Sequence, residues 1–434
     1  MGSSFPQRVL WWFYNLVLLL AWPLVVMGDA LQCAAGRRQW QTVCSRLGWR
    51  LPALRPGPRR IWFHALSVGE THSVAPLVQA VKEAFPEQDI LFSTATETGQ
   101  GAARRVLANW VSDFFYLPHD FAWSTEALIR RVRPQLLVLV ETDVWPNLLW
   151  TCRRHGIPCM LVNARISPRS FVRLRRFRGG VRPVWECFET ILVQSAKDLE
   201  RFQTLGVRPE ILENVGNLKF DHSVASLLDS DRARLRQETG VADERPVWIA
   251  GSTHQGEEAI LLRVHRRILR GDPNALLILA PRQIDRAPAV EQLCRSLGLT
   301  SARRSRGEAA AGQAVLVLDS LGELARFYAL ANLAFIGGSL VPFGGHNPLE
   351  ALGQGIPMVW GPHLFNFRQI EELLVAAGCA VRIEGEDQLL EVVRQWLTDP
   401  TIQKRVAESA KVLFNSHGGS SRKILLRLRQ ILRN

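Results

Sequence analysis

The sequence predicts an α/β protein with two Rossmann-like domains behind an apolar N-terminal helix. A length of 434 residues exceeds one ordinary domain. Short apolar runs alternate with helical stretches in two successive sets, which is typical of parallel sheets covered by helices on both faces. A run of eighteen residues near the start carries no charge. Hydrophobic residues make up 47% and charged residues 21%, a composition that excludes bulk disorder.

The first element, assigned to residues 1–35, is predicted to be a membrane anchor. Val9–Val26 is almost long enough to cross a bilayer as a helix. Arg8 precedes it and seven arginines follow it, so the positive-inside rule predicts a cytoplasmic body. The arginines that follow are Arg37, Arg38, Arg46, Arg50, Arg55, Arg59 and Arg60. Asn15 and Pro23 leave open a helix that lies along the interface instead of crossing it.

The first Rossmann-like domain is predicted over residues 36–225 and the second over residues 240–410. The runs predicted as strands of the first are Ile61–Leu66, Ile90–Thr94, Phe114–Leu117, Leu136–Val140, Met160–Val162 and Ile191–Val193. Those of the second are Val247–Ala250, Ala275–Leu279, Val315–Leu318, Leu333–Ile336, Met358–Trp360 and Ala380–Ile383. The polar stretch 221–245 is interpreted as a linker. Residues 411–434 form a basic helix that either packs back on the first domain or touches anionic lipid.

Charge and cysteine content narrow the function classes. A net charge of +13 favours an anionic partner, whether nucleic acid, an anionic leaflet or a phosphorylated lipid. Interleaved aromatic and basic residues typical of nucleic-acid binding are missing, so a non-enzymatic nucleic-acid-binding protein is a distant alternative. Seven scattered cysteines without a CxxC pair argue against disulfides or a zinc site. His64 and His346 have no second ligand at metal spacing.

In open α/β sheets, ligands bind beyond the carboxyl ends of the strands. After the first strand, Ser67 and Glu70 have the spacing of a helix capping box. A carboxylate placed there also suits proton abstraction from an attacking hydroxyl, so both interpretations stay open. Glu141 follows the strand Leu136–Val140, and Arg165 and Lys219 follow later apolar runs. These two cations are either anion contacts or solvated loop residues.

The second domain offers two phosphate-type sites. Arg282 follows Pro281 at a strand end, where its guanidinium supplies a forked donor for an anion. Four glycines within residues 337–345 precede Asn347 and Pro348, a pattern that predicts an anion nest leading into a helix N-terminus. Asn347 is predicted as the N-cap residue and Pro348 as the first helical residue. Glu350 either completes that cap or accepts the ribose hydroxyls of a nucleotide.

Together these motifs resemble the bacterial 3-deoxy-D-manno-octulosonate (Kdo) transferases of lipid A assembly. The resemblance rests on SVGE at 67–70, NARIS at 163–167, GNLKFD at 216–221, AGSTHQGEE at 250–258, APRQ at 280–283 and FIGGS…GGHNPLEAL at 335–352. It implies a GT-B fold, with two Rossmann-like domains facing a cleft, at the inner membrane. It also implies CMP-β-Kdo as donor, the distal glucosamine 6′-hydroxyl of tetra-acylated lipid IVA as acceptor, inversion of configuration, and no metal or other cofactor.

The resemblance further implies roles for individual residues. Glu70 would be the general base, with Glu141 and Lys219 supporting the transition state. The implied donor contacts are Pro281, Arg282, Gly322, Glu323, Leu324, Asn347, Pro348, Leu349 and Glu350. The expected partners are CMP-Kdo, lipid IVA and the anionic inner-membrane surface, and nucleic acid is not expected. A membrane-associated GT-B transferase that uses a UDP-sugar is the nearer alternative.

Overall fold

The computed structural model describes residues 5–36, 38–55, 57, 59–142, 144–222 and 227–433. Its strands are β1 Arg60–His64, β2 Asp89–Thr94, β3 Asp113–Tyr116, β4 Leu136–Val140, β5 Cys159–Ala164, β6 Thr190–Val193, β7 Leu212–Asn214, β8 Val247–Thr253, β9 Leu276–Pro281, β10 Ser301–Arg303, β11 Val315–Val317, β12 Leu333–Ile336, β13 Met358–Trp360 and β14 Ala380–Arg382. Its α-helices are α1 Phe5–Ala34, α2 Trp40–Arg46, α3 Val68–Ala84, α4 Glu97–Val106, α5 Ala122–Val132, α6 Pro146–Arg154, α7 Pro168–Arg176, α8 Arg178–Trp185, α9 Ala196–Thr204, α10 Asp229–Thr239, α11 Glu257–Ile268, α12 Ala287–Ser296, α13 Leu324–Phe327, α14 Leu349–Gly353, α15 Arg368–Ala376, α16 Glu386–Thr398, α17 Pro400–His417 and α18 Ser420–Arg433.

The chain divides into two units, Met1–His222 with Ser416–Asn434, and Ser223–Asn415. The sequence had assigned α10 to a linker, but it packs within the second unit. Leu235 and Thr239 of α10 are buried, and the Thr239 carbonyl accepts a hydrogen bond from Ala310 N at 2.7 Å. The last residues of the chain, Ser416–Asn434, belong to the first unit.

The first unit contains a seven-stranded parallel sheet in the order β3-β2-β1-β4-β5-β6-β7. Successive strand residues point to opposite faces, so each strand contributes to two cores. Residues of α3, α4 and α18 cover one face, and residues of α5, α6, α8 and α9 cover the other. Near-continuous apolar strands such as Leu136–Val140 follow from this two-sided burial.

The C-terminal helix α18 packs against the first unit. Ile424 and Leu428 are fully buried in the same core as α3. The Asp221 carboxylate accepts hydrogen bonds from Gly419 N at 2.7 Å and Ser420 N at 3.2 Å, where the helix begins. The leucine and isoleucine periodicity of this basic helix is therefore used for packing.

The second unit contains a parallel sheet in the order β10-β11-β9-β8-β12-β13-β14. The edge strand β10 was not predicted, because Ser301-Ala302-Arg303 has no apolar run. Arg303 is held at this edge by an ion pair to Asp319, with Nη2 and Oδ2 2.5 Å apart.

The apolar segment forms one helix. Val9–Ala34 has a mean hydropathy of 2.0 and is long and apolar enough to cross a membrane by length and composition. Of the flanking arginines used for orientation, Arg37 lies outside the described residues.

Candidate active site

Glu70 lies in the first turn of α3, shortly after the end of β1. It forms the helix capping box that the sequence allowed. Ser67 is the N-cap residue, and its Oγ accepts from Glu70 N at 3.4 Å. The Glu70 carboxylate in turn accepts from Leu66 N at 2.5 Å and from Ser67 N at 3.3 Å. These bonds fix the carboxylate at the carboxyl end of the first strand.

The environment of Glu70 raises its proton affinity. The residue is only 8% exposed, and burial together with the nearby charge of Glu141 raises its pKa to about 7. The two backbone N–H donors and the charge of Arg165 lower the pKa of Glu70, but by less than burial and Glu141 raise it. A carboxyl group with a pKa near the working pH is suited to general-base catalysis. Capping and basicity thus coexist in one side chain.

Two neighbouring strand ends hold non-glycine residues in the left-handed conformation. Glu141, directly after β4, has a φ of 62°, and Asn163, near the end of β5, has a φ of 52°. Both are buried. Glu141 N donates to Val162 O at 2.9 Å, and Asn163 Oδ1 accepts from Leu218 N at 3.1 Å. Backbone strain of this kind clusters at functional sites, because surrounding contacts must be arranged to maintain it.

Two cations complete a cluster of four charges with Glu70 and Glu141. Arg165 Nε donates to Glu141 Oε2 at 2.6 Å. The pKa of Lys219 is lowered, chiefly by burial and also by the charge of Arg165. The charges of Glu141 and Glu70 act in the opposite direction and raise it. Lys219 therefore lies within electrostatic reach of all three other groups. Asp143, two residues after Glu141, lies outside the described residues.

In the second unit, Arg282, Asn347 and Glu350 come together. Arg282 follows β9 and its backbone N donates to Thr253 O at 2.9 Å. Burial raises the pKa of Glu350, whereas a hydrogen bond from Asn347 Nδ2 at 3.5 Å and the charge of Arg282 lower it. A guanidinium and a carboxylate side by side provide groups for a phosphate and for sugar hydroxyls, respectively.

The helix after Asn347 begins later than the sequence predicted. α14 starts at Leu349, so Pro348 occupies the N-cap position and Asn347 precedes it. The Asn347 side chain still receives a hydrogen bond from Leu349 N at 3.1 Å, two residues on, as an Asx turn. Glu350 therefore bonds to the Asn347 side chain and does not close a capping box.

The expected ligand nest after β12 is filled by the protein itself. The fully buried Glu257 carboxylate accepts from the backbone N of Gly338 at 2.7 Å, Ser339 at 3.0 Å and Leu340 at 2.9 Å. It also accepts from His254 N at 2.9 Å. The predicted ligand-binding nest over residues 337–345 is therefore wrong at Gly338 and Ser339, because an internal carboxylate already satisfies these backbone donors.

The acidic side chain at the start of α13 is also bound by other residues of the protein. The Glu323 carboxylate pairs with Arg304 at 3.1 Å and accepts from the Ser320 hydroxyl. Burial raises the pKa of Glu323, but these hydrogen bonds outweigh burial and lower it. Gly322 has a φ of 82° with open space beside it, and Leu324 is half-buried. The backbone at Gly322 is therefore open to close approach by a ligand, whereas the Glu323 carboxylate is engaged within the protein.

Comparison with known proteins identifies the family. A family model described as 3-deoxy-D-manno-octulosonic-acid transferase (kdotransferase) matches residues 41–222. The 3-deoxy-D-manno-octulosonic acid transferase of Haemophilus influenzae is 34% identical over 94% of this chain and 96% of its own length. That of Bordetella pertussis is 32% identical over 95% of this chain and 97% of its own.

This chain belongs to the 3-deoxy-D-manno-octulosonic acid (Kdo) transferases. It is a glycosyltransferase, as the sequence predicted. The UDP-GlcNAc 2-epimerase of Neisseria meningitidis covers 86% of the chain and all of its own at a TM-score of 0.57 and 12% identity, a likeness of fold alone. The expected GT-B architecture of two parallel-sheet α/β units with an apolar N-terminal helix is confirmed.

Sequence reasoning missed one feature of this transferase. His346, interpreted as a lone histidine, pairs with His254, their Nε2 atoms lying 2.8 Å apart. Phe343 stacks on His254 with ring centroids 4.0 Å apart. Burial, Arg282 and His254 lower the pKa of His346 to about 4, and burial lowers that of His254, so the pair is neutral at pH 7. No spacing signal could reveal a pair separated by ninety-two residues.

Proposed function

We propose that this enzyme transfers Kdo from CMP-β-Kdo to the 6′-hydroxyl of the distal glucosamine of lipid IVA, with inversion, on the cytoplasmic face of the inner membrane. The relatives' shared name supports Kdo as the transferred sugar. The observation that carries the mechanism is Glu70, a buried carboxyl group held by backbone N–H donors with a pKa of about 7.

The reaction balances around one proton and one leaving group. Glu70 takes the proton of the acceptor hydroxyl as its oxygen forms a bond to the anomeric carbon of Kdo. The bond from that carbon to the phosphate oxygen breaks, and CMP leaves with the electron pair. Attack from the face opposite CMP inverts the anomeric centre. Glu70 is therefore the proposed catalytic base.

Lys219 and Arg165 are proposed to balance charge during this step. Glu70 must be ionised to take this proton, and the neighbouring charge of Glu141 opposes that ionisation unless nearby cations offset it. Arg165 pairs with Glu141 at 2.6 Å and so holds the Glu141 side chain in place. Lys219, whose pKa is lowered by burial, supplies a second positive charge. Glu141 is proposed to orient both cations.

The donor contacts are proposed in the second unit. Arg282 would hold the CMP phosphate, whose charge grows as the glycosidic bond breaks. Glu350 would accept ribose hydroxyls, with Asn347 holding its carboxylate in place. The remaining proposed contacts, mostly through backbone, are Pro281, Gly322, Glu323, Leu324, Pro348 and Leu349. Of these, Glu323 contributes only its backbone, because its carboxylate is engaged by Arg304.

The test is transfer from CMP-Kdo, generated in situ, to lipid IVA, with products resolved by mass. Wild type should form the product, and Glu70→Gln should lose activity by about 10²- to 10⁴-fold while binding CMP normally. Glu83→Gln, an exposed carboxylate on the same helix, is the matched control and should keep full activity. An active Glu70→Gln variant would make Glu70 only a helix cap. Inactive wild type that binds UDP in preference to CMP would instead support the UDP-sugar alternative.

A further inference from the structure

The N-terminal helix α1 has one face attached to the first unit. Tyr14 donates its hydroxyl hydrogen to Asp120 Oδ2 at 3.0 Å. The amides of Asn15 and Asn147 bond reciprocally, at 3.0 Å from Asn15 Nδ2 and 2.9 Å from Asn147 Nδ2. Asp120 is buried, and so is Asn147. The polar side chains of this part of the helix thus find their partners on the protein body.

The attachment continues towards the end of α1. Trp22 makes edge contacts with Phe121 and Trp123, at ring-centroid distances of 4.7 and 5.4 Å. Asp29 is buried, accepts from His119 Nε2 at 3.0 Å and pairs with Arg38. From Tyr14 to Asp29 the helix advances about 22 Å at 1.5 Å per residue. The contacts therefore run along about half of the helix, on the side of the sheet covered by α5 and α6.

The opposite face of α1 is a continuous apolar stripe that points away from the protein. Its side chains recur every three or four residues and are about half exposed or more. They are Val9, Trp12, Phe13, Leu16, Val17, Leu19, Leu20, Leu24, Met27 and Leu31. A soluble surface rarely carries a contiguous apolar stripe of this length. This exposed face of α1 therefore needs an apolar environment, whereas the opposite face is already covered by the protein.

A basic surface lies beside the start of α1. Leu10 reaches α8 so closely that a methyl group on Gly180 would lie 3.8 Å from Leu10 Cδ1. The adjoining α7 has no buried residue and exposes Val172, and Phe177, which directly follows α7, is exposed as well. Five exposed arginines occupy this region, none paired with a carboxylate in the part of the chain that the structure describes. They are Arg169, Arg173, Arg175, Arg176 and Arg178. We call these residues the α7 basic patch.

We infer that α1 does not cross the bilayer but lies in the plane of one leaflet, docked on the catalytic unit, with its apolar stripe in the acyl boundary and the α7 basic patch on anionic headgroups. A spanning helix would be surrounded by hydrocarbon, which would separate Asn15 and Asp29 from their partners and leave them unsatisfied. An in-plane helix keeps these bonds and buries only its apolar face. The charge of the patch commits the surface to an anionic lipid bilayer. The inference deepens the proposed membrane location and does not depend on the donor or acceptor.

Topology gives the first test. An epitope tag at the N-terminus of the full chain is exposed to protease in sealed inverted inner-membrane vesicles, whose outer face is the cytoplasmic one. An in-plane helix leaves the tag and the catalytic units on the same side, so protease should remove both. Protection of the tag while the body is digested would show a spanning helix and overturn the inference. Kdo transfer would be unaffected by that outcome, so the proposed reaction would stand.

The second test measures how much the charge of the α7 basic patch contributes to membrane binding. The protein is sedimented with vesicles of phosphatidylethanolamine and phosphatidylglycerol. Replacing Arg169, Arg173 and Arg176 with glutamine should weaken binding by roughly fivefold per arginine, and less at high salt. The matched control replaces Arg422, Arg429 and Arg433 of α18, which covers the other face of the sheet, and should bind as wild type does. Equal weakening by both triple variants, or none by either, would contradict the assigned surface. Circular dichroism and CMP binding check that both variants are folded.

Discussion

Replacing Glu70 with glutamine should stabilise the enzyme at high pH while inactivating it. The pKa of Glu70 rises from an ordinary 4.5 to about 7 in the folded state. A folded-state pKa above the unfolded value means that the folded protein binds the proton more tightly. The resulting stabilisation is complete below pH 4.5 and is lost as the pH rises through 7. Glutamine cannot ionise, so the variant escapes this loss.

The magnitude follows from the difference between the two pKa values. At about 1.4 kcal/mol for each pH unit, the change amounts to about 3 kcal/mol. The free energy of unfolding of Glu70→Gln minus that of wild type should therefore rise by about 3 kcal/mol between pH 4.5 and pH 8. Because the glutamine amide oxygen still accepts from Leu66 N and Ser67 N, the cap should be largely retained.

The assay is urea unfolding followed by tryptophan fluorescence across this pH range, with Glu83→Gln as a control that should show no such trend. In parallel, kcat/KM of wild type should rise with pH through about 7 and level off above that value, since the base must be ionised. A difference in unfolding free energy that stays flat or falls with pH would refute the reasoning. Glu70 would then ionise in the folded protein as it does in the unfolded chain.

Three further predictions concern the neighbouring groups. Glu141→Gln removes the anion beside Glu70, so the pKa of Glu70 falls and the acid limb of the kcat/KM profile should move to lower pH. Arg282→Lys keeps the charge but loses the forked donor, and calorimetry should show CMP binding weakened by roughly 10- to 100-fold, at about 1.5–3 kcal/mol for a charged hydrogen bond. Unchanged affinity would place the phosphate elsewhere. Glu257→Gln turns an amide NH2 towards backbone donors and should destabilise the enzyme by about 3 kcal/mol or more in thermal unfolding, whereas exposed Glu372→Gln should be nearly neutral.

Much of the fold could be predicted because its signals are local. Buried strands need continuous apolar runs, and every run predicted as a strand coincides with one to within a few residues. The Ser67–Glu70 capping box likewise depends on residues three apart. The short edge strand β10 escaped prediction because an edge strand needs little apolar surface. The start of α14 was misplaced by one residue because an Asx turn and an N-cap use the same Asn-Pro sequence.

The sequence by itself determined the family, the two-sheet architecture and the strand ends that carry the candidate residues, because periodicity and short motifs encode these features locally. Only the tertiary structure decided what each of those residues touches. Glu257 fills the glycine nest from eighty-one residues away, and Asn15 of α1 meets Asn147 across 132 residues. The pKa of Glu70 depends on Glu141, which follows a different strand, β4. Hydrogen bonding, burial and charge coupling act through space, so their partners are set by packing and cannot be read from spacing along the chain.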